Sequence, residues 1–321
     1  MHPTLPLVLV TNSVPDDVLA PLEGIARVVM GPADGELMPR AEVLERAPEL
    51  AAIVNQAELQ VDSELLARAR KLRIVANVAI GANNLNLALM ENHGVFATNV
   101  PHAFVESTAD FTLGMLLALT RRLPEADAHV RAGAWRSFQP GRWDGVLLGN
   151  KILGLVGYGS IGQAVARRAR GFGLRVLFHQ RSVSAHEEFA SLDRLLSESD
   201  IVSLHVPLNR DSERLIDASR LARMKQGALL INASRGRVVD ETALVAALQS
   251  GRLAGAALDV FENEPAVHPA LLTMRNVVLT PHIGGGTRES RFQARLHCIQ
   301  DVARVLTGKR PVSALNAPRT A

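Results

Sequence analysis

Cysteine, lysine and aromatic side chains are all scarce in this chain, and each scarcity removes a class of function. A single cysteine, Cys298, stands among 321 residues. No internal disulfide can form, and a metal site built of cysteines is excluded. A reducing, cytoplasmic compartment is the expectation. Lysine occurs only at Lys71, Lys151, Lys225 and Lys309. The basic balance, a formal charge of +3 and a pI near 9.5, therefore rests on arginines spread along the chain. Phe, Trp and Tyr together make up 4%. Basic charge without an aromatic-rich basic module is poor equipment for nucleic acid, and the densest cluster, Arg167, Arg168 and Arg170, reads as a solvated helix face. No nucleic-acid partner is expected. Long apolar runs are missing as well: residues 113–119 are interrupted by Gly114 and are far too short for a bilayer span. The N-terminus lacks a basic region followed by a long apolar stretch, so neither a signal peptide nor a membrane partner is expected.

What is present is an ordinary globular mixture, 47% apolar and 21% charged, long enough for two domains with sizeable cores. Short apolar runs at residues 7–10, 27–30, 51–54, 73–77 and 95–98 predict strands bounded by turn residues. Helical spacing lies between them, as over residues 61–70, which is the α/β pattern of a parallel sheet. Ser107-Thr108-Ala109-Asp110 resembles a capping box ahead of an apolar helix running to about Arg121. A second series begins near Lys151, with strands predicted at 152–156, 175–178, 201–205, 228–232, 254–259 and 277–280. Six strands with intervening helices is the count for a doubly wound dinucleotide fold. Residues 288–307 have helical character, and no repeat or low-complexity segment appears.

The first strand of that second series leads into Gly157-Tyr158-Gly159-Ser160-Ile161-Gly162, followed by a helical pattern. In that context the spacing is a dinucleotide fingerprint. Gly157 permits the tight turn, Gly159 lets the backbone approach a pyrophosphate, and Gly162 lets the helix pack on the sheet. The helix N-terminus then offers its free N–H groups to the anion. At the end of the next strand an NAD site usually carries an acid for the ribose 2′-OH. Here Gln180, Arg181 and Ser182 follow His179, with no carboxylate until Glu187. Arg181 can pair with a 2′-phosphate and Ser182 can donate to it, so NADP is the expected cofactor, with NAD possible.

Three further motifs sit at later strand ends, where ligands of open α/β sheets bind. They are Asn232-Ala233-Ser234-Arg235-Gly236, the stretch from Asp259 to Glu264-Pro265, and Pro281-His282-Ile283-Gly284-Gly285. With Val78-Ala79-Ile80-Gly81, Thr108-Ala109-Asp110, Gly133-Ala134-Trp135 and Arg237-Val238-Val239-Asp240, they make the chain resemble the D-2-hydroxyacid dehydrogenases over essentially its whole length. Within that family it looks most like the glyoxylate/hydroxypyruvate reductase and hydroxyphenylpyruvate reductase branch. The resemblance implies two Rossmann-like domains. A doubly wound dinucleotide-binding domain, residues 99–286, would be inserted in a flavodoxin-like substrate domain, residues 1–98, to which residues 287–321 return as a C-terminal helix.

By the same resemblance Arg235 is the substrate arginine, Glu264 the carboxylate partner and His282 the acid/base. Val78, Ala79, Ile80 and Gly81 would offer backbone N–H groups to the substrate carboxylate. Asp259 would lie near the nicotinamide carboxamide, and His205, Pro207 and Ala233 would join the cofactor contacts. The chemistry suits each role. Reduction of a 2-oxo acid needs a hydride at carbon and a proton at oxygen, and histidine is the side chain whose ordinary pKa lies near neutrality. A homodimer is implied too. Trp135 and Phe138 read as packing residues, with Phe138 a candidate to line the neighbour's site. The other histidines lack ligand spacing, so no metal is expected. Residues 55–59 and Phe138 are the candidates for the side beyond C2, and the sequence leaves the particular 2-oxo acid open. A dinucleotide-sensing corepressor-like protein and a dehydrogenase of another small acid, such as 2-ketogluconate, formate or phosphite, are the alternatives.

Overall fold

The computed structural model describes residues 5–33, 36–56 and 58–318. They form two compact units, residues 1–104 with 286–321 and residues 105–285.

The first unit is built on a five-stranded, wholly parallel sheet. Its strands are β1 (Leu7–Val10), β2 (Arg27–Met30), β3 (Leu50–Asn55), β4 (Ile74–Asn77) and β5 (Phe96–Thr98). Their order is β2-β1-β3-β4-β5, which is the flavodoxin-like winding. β1, β3 and β4 are buried at every position, because crossover segments cover both faces of a parallel sheet. Edge strand β2 is the exception, with both its end residues exposed. One face packs Val8, Val10, Val54 and Ile74 against Ala294, Cys298, Ile299, Val302 and Val305 of the helix Arg288–Leu306. Cys298 is buried there, and burial pushes its thiol far above the ordinary value.

The second unit carries six parallel strands: β6 (Ile152–Val156), β7 (Arg175–His179), β8 (Ile201–Leu204), β9 (Ala228–Asn232), β10 (Leu253–Leu258) and β11 (Val277–Leu279). They are ordered β11-β10-β9-β8-β6-β7. The winding reverses at β6, with β7 on one side and β8 on the other. That reversal is the topological switch point, and ligands of open α/β sheets bind beyond the strand ends there.

The helix Val105–Thr120 covers one face of this sheet together with the helix Ser160–Gly171. The capping-box expectation fails at this helix. It begins at Val105, so Ser107 lies inside its first turn, and the Ser107 hydroxyl donates to the Gly285 carbonyl at 3.3 Å. A buried partner across the fold has taken the serine that a local motif would have used. Among the described residues no helix is long and apolar enough to cross a membrane, and no group of three or more His, Cys, Asp or Glu could hold a metal.

Candidate active site

The loop after β6 is shaped by three glycines with three different surroundings. Gly157 has φ +99°, and a Cβ there would lie 2.4 Å from the His205 carbonyl oxygen. At Gly162 a Cβ would lie 2.3 Å from the Gly157 carbonyl oxygen. Gly159, the N-cap of the helix Ser160–Gly171, faces open space. No side chain caps that helix, so among the described residues its first-turn N–H groups have no side-chain acceptor. This cradle fits the pyrophosphate of a dinucleotide. Tyr158 stacks on Phe178 with ring centroids 3.8 Å apart, which leaves its backbone rather than its ring to the ligand. Ile161 is half-buried against the same core as Tyr158.

His205 closes the other side of the loop. Its N–H donates to the Val156 carbonyl at 2.8 Å, and its Nε2 lies 2.9 Å from the Ser203 hydroxyl. The ring keeps a partly open edge but is otherwise surrounded by protein, and burial pushes its pKa down to about 4. Pro207 follows on the surface, its carbonyl accepting from the Ser212 hydroxyl at 2.5 Å. At the end of β7, Gln180 is half-buried while Arg181 and Ser182 are exposed. Arg181 Nη1 lies 3.6 Å from Asp211 Oδ2, an exposed pair. Asp211 lies 30 positions further along the chain, beyond β8, and no local sequence signal placed it there.

Beyond β9 a tight turn carries Arg235. Asn232 closes it: its Oδ1 accepts from the Ser234 N–H at 3.0 Å and from the Ser234 hydroxyl at 2.8 Å, while its Nδ2 donates to the Arg235 carbonyl at 3.0 Å. Ala233 sits half-buried within this turn. A Cβ on Gly236 would lie 1.9 Å from the Phe261 carbonyl, so the Arg235 turn presses directly on the loop that carries Glu264. Arg235 donates from Nη1 to the Ser234 carbonyl at 2.6 Å, the only hydrogen bond its guanidinium makes among the described residues. Burial lowers its pKa, and the charge of Glu264 partly opposes that shift.

Glu264 and His282 are brought together. Glu264 Oε2 lies 2.8 Å from His282 Nδ1, and Oε1 accepts from the Phe261 N–H at 3.0 Å. Partial burial pushes the Glu264 carboxyl up. The hydrogen bond and charge of His282, the Phe261 N–H and the charge of Arg235 outweigh it and hold the group below the usual carboxylate range. An apolar recess of about 320 Å³, lined in part by Phe261, Val267, Leu272 and Leu279, adjoins the pair.

His282 has φ +54°, a strained conformation for a residue with a Cβ. Asp259 over-determines it. Its carbonyl accepts the His282 N–H at 2.9 Å, and its carboxylate accepts from the Thr280 hydroxyl at 2.7 Å and from the Ile283 and Gly284 N–H groups at 2.8 Å each. Strained residues persist where such surroundings fix them, and they concentrate at functional sites. Asp259 was expected beside the nicotinamide; the geometry shows it holding the histidine loop.

In the first unit, residues 78–81 follow β4. The Val78 N–H donates to the Asn55 carbonyl at 2.7 Å and extends the sheet ladder. Val78 is therefore not a free donor, which corrects the expectation for that residue. Ala79, Ile80 and Gly81 have no N–H partner among the described residues, while the carbonyls of Ile80 and Gly81 accept from Asn99 at 2.6 Å and Asn77 at 3.4 Å. Trp135 and Phe138, expected to pack, are 61% and 84% exposed.

Such a sheet, with such a loop at its switch point, defines a dinucleotide-binding α/β protein. Residues 113–284 match the model of the D-isomer specific 2-hydroxyacid dehydrogenase NAD-binding domain. A glyoxylate reductase of Thermococcus litoralis is 41% identical over 296 residues, 89% of each chain. A crystal structure of the TT0316 protein of Thermus thermophilus superposes with a TM-score of 0.92 at 39% identity, covering 96% of this chain and 99% of that one. An NADPH-dependent glyoxylate/hydroxypyruvate reductase of Sinorhizobium meliloti, solved with NADP and malonate, gives a TM-score of 0.85 at 29% identity over 99% of this chain and all of that one. The chain belongs to the D-isomer specific 2-hydroxyacid dehydrogenase family, whose members act on small 2-oxo and 2-hydroxy acids.

Proposed function

We propose that the protein reduces the C2 carbonyl of a small 2-oxo acid, such as glyoxylate or hydroxypyruvate, to the D-2-hydroxy acid, with NADPH preferred over NADH. The observation that carries this reading is the Glu264–His282 pair. Its histidine is held through Nδ1 at 2.8 Å, in the same unit as the Gly157–Gly162 cradle. Bound reduced nicotinamide supplies a hydride. The rest of the chemistry falls to side chains. As C2 gains the hydride, the protonated His282 gives the proton on Nε2 to the carbonyl oxygen, completing the alcohol. Glu264 fixes the ring through Nδ1. Arg235, with N–H groups to spare, binds anionic oxygen and draws electron density from the carbonyl. Asp259 positions His282, and the carboxamide contact remains its second proposed role, since three of about four acceptor sites are in use. Ala79, Ile80 and Gly81 give the first unit its own anion-binding loop, to which we assign the substrate carboxylate.

NADPH preference is supported by the absence of an acid directly after β7 and by Arg181 and Ser182 standing there instead. A homodimer is the proposed assembly, and the exposed Trp135 and Phe138 favour it. Reduction is tested by following loss of reduced nicotinamide with a panel of 2-oxo acids. His282→Ala is expected to lower kcat/KM by about 10²–10⁴-fold and to leave NADPH binding near wild type. Turnover unchanged in that variant removes His282 from the mechanism. Failure of every 2-oxo acid favours a dinucleotide-sensing protein instead.

A further inference from the structure

Among the described residues four that are not glycine have a left-handed φ: Arg122, Asn150, Arg214 and His282. His282 belongs to the proposed catalytic pair. Arg214, at φ +49°, is hydrogen-bonded to none of Arg235, Glu264 and His282, yet its contacts converge on the loop that carries Glu264. A residue with a Cβ keeps such a conformation only where its surroundings over-determine it.

The surroundings of Arg214 join three segments of the second unit. Its N–H donates to the Arg237 carbonyl at 2.7 Å, two residues past Arg235. Ile216 continues that join: its N–H donates to the Val238 carbonyl and its carbonyl accepts the Asp240 N–H, both at 3.0 Å. The Arg214 guanidinium reaches the third segment. Nη2 donates to Glu262 Oε1 at 2.9 Å, and Nη1 lies 3.7 Å from Asp240 Oδ2. Glu262 is held a second time through its backbone, whose N–H donates to Glu241 Oε2 at 3.0 Å.

The residue before Glu262 supplies the donor that orients the Glu264 carboxylate. The Phe261 N–H donates to Glu264 Oε1 at 3.0 Å, which leaves Oε2 to His282 at 2.8 Å. Two successive N–H groups are therefore bound to carboxylates, one inside the pair and one outside it. The Phe261 side chain is buried in the core of the unit, and Gly236 has no room for a Cβ against the Phe261 carbonyl. Packing thus fixes one side of the loop, and the clamp on Glu262 fixes the other. We propose that Arg214 and Glu241 are positioning residues: by fastening Glu262 they hold the Phe261 N–H in place, and through it they aim Glu264 at His282. The inference deepens the functional reading above and rests on it.

Glycine accepts a left-handed φ without strain, so Arg214→Gly removes the clamp while relieving the backbone. Arg214 is largely exposed and its ion pairs add little stability, so Tm is expected near wild type. Glu262 is mostly buried, and pairing Arg214→Gly with Glu262→Gln gives a second variant that strands no carboxylate. In both, kcat for glyoxylate is expected to fall by about 10-fold, because displacing a positioned group by 1 Å can cost about 10²-fold. KM and the NADPH Kd are expected to stay near wild type. The pH profile separates aim from mere folding. Partial burial raises the Glu264 carboxyl, while His282, the Phe261 N–H and Arg235 together hold it below the ordinary range. A weakened Phe261 bond lets it rise, so the acidic limb of the kcat profile moves to higher pH. Glu241→Gln retains an amide oxygen for the Glu262 N–H and is expected to recover most of the kcat that Glu241→Leu loses. Wild-type kcat with an unmoved acidic limb in both Arg214 variants overturns this inference alone, as does a loss of kcat that tracks a loss of Tm with the limb unmoved. Failure of the wild-type protein to reduce any 2-oxo acid overturns the functional reading and this inference with it.

Discussion

Arg181 shows how a single side chain can be legible by type and still be misjudged by surroundings. Its position after β7 points to a 2′-phosphate. The structure adds Asp211 at 3.6 Å, a carboxylate brought in from the far side of β8. Both groups are largely exposed, so the pair contributes little stability and Arg181 remains available to a ligand. A 2′-phosphate offers Arg181 charge-assisted hydrogen bonds that an exposed carboxylate at this distance does not. Asp211 meanwhile repels the incoming phosphate. Arg181→Ala is therefore expected to lower the NADPH/NADH ratio of kcat/KM by about 10-fold or more, the scale of one hydrogen bond to a charged group. Asp211→Asn is expected to raise it by about 2–5-fold, as fits a screened surface charge. An unchanged ratio in Arg181→Ala would remove the proposed basis for NADP choice.

At the scale of elements, β6, its loop and the helix Ser160–Gly171 make a unit whose glycines have separable duties. Gly157 has a left-handed φ and no room for a Cβ, so Gly157→Ala should cost about 2–4 kcal/mol of stability by strain and overpacking. Gly159 has φ −75° and open space beyond it, so Gly159→Ala fits the fold. Its Cβ would instead occupy the place of the ligand. Tm near wild type with at least about 10-fold weaker dinucleotide binding, the effect of losing about 1.4 kcal/mol, is the expected result by thermal melting and fluorescence titration. Equal affinity in the variant would sink the assignment of the cradle to phosphate. All eleven strands among the described residues had been legible, with ends displaced by a residue or so, because strands buried on both faces of a parallel sheet read as apolar runs. Connections between distant segments were not legible. Ser107 bonded to Gly285, Val78 drawn into the ladder by Asn55, and Asp259 fastening the His282 loop each depend on a partner that the local pattern does not name.

For the molecule as a whole, the exposed apolar side chains of the second unit bear on the proposed homodimer. Leu123, Val130, Trp135, Phe138 and Leu147 are each more than half exposed, and all fall within one stretch of the second unit. Single exposed apolar residues are ordinary, but a concentration of large ones marks an interaction surface. The covered catalytic-type groups lie elsewhere, on the Asn232, Asp259 and Thr280 turns, so this surface is not needed to form the Glu264–His282 pair. A second copy of the chain is the simplest occupant, because closed twofold pairing is by far the commonest way for a homo-oligomer to bury one patch. A stable pairing would bury about 1,600 Å² in total. Sedimentation is expected to give a dimer at micromolar concentration. The double variant Phe138→Asp and Leu147→Asp is expected to sediment as a monomer with unchanged circular dichroism, since desolvating two carboxylates at an apolar contact opposes association without touching either core. A wild-type protein that sediments as a monomer under those conditions would leave the patch without this partner, and a double variant that remains dimeric would place the interface on another face.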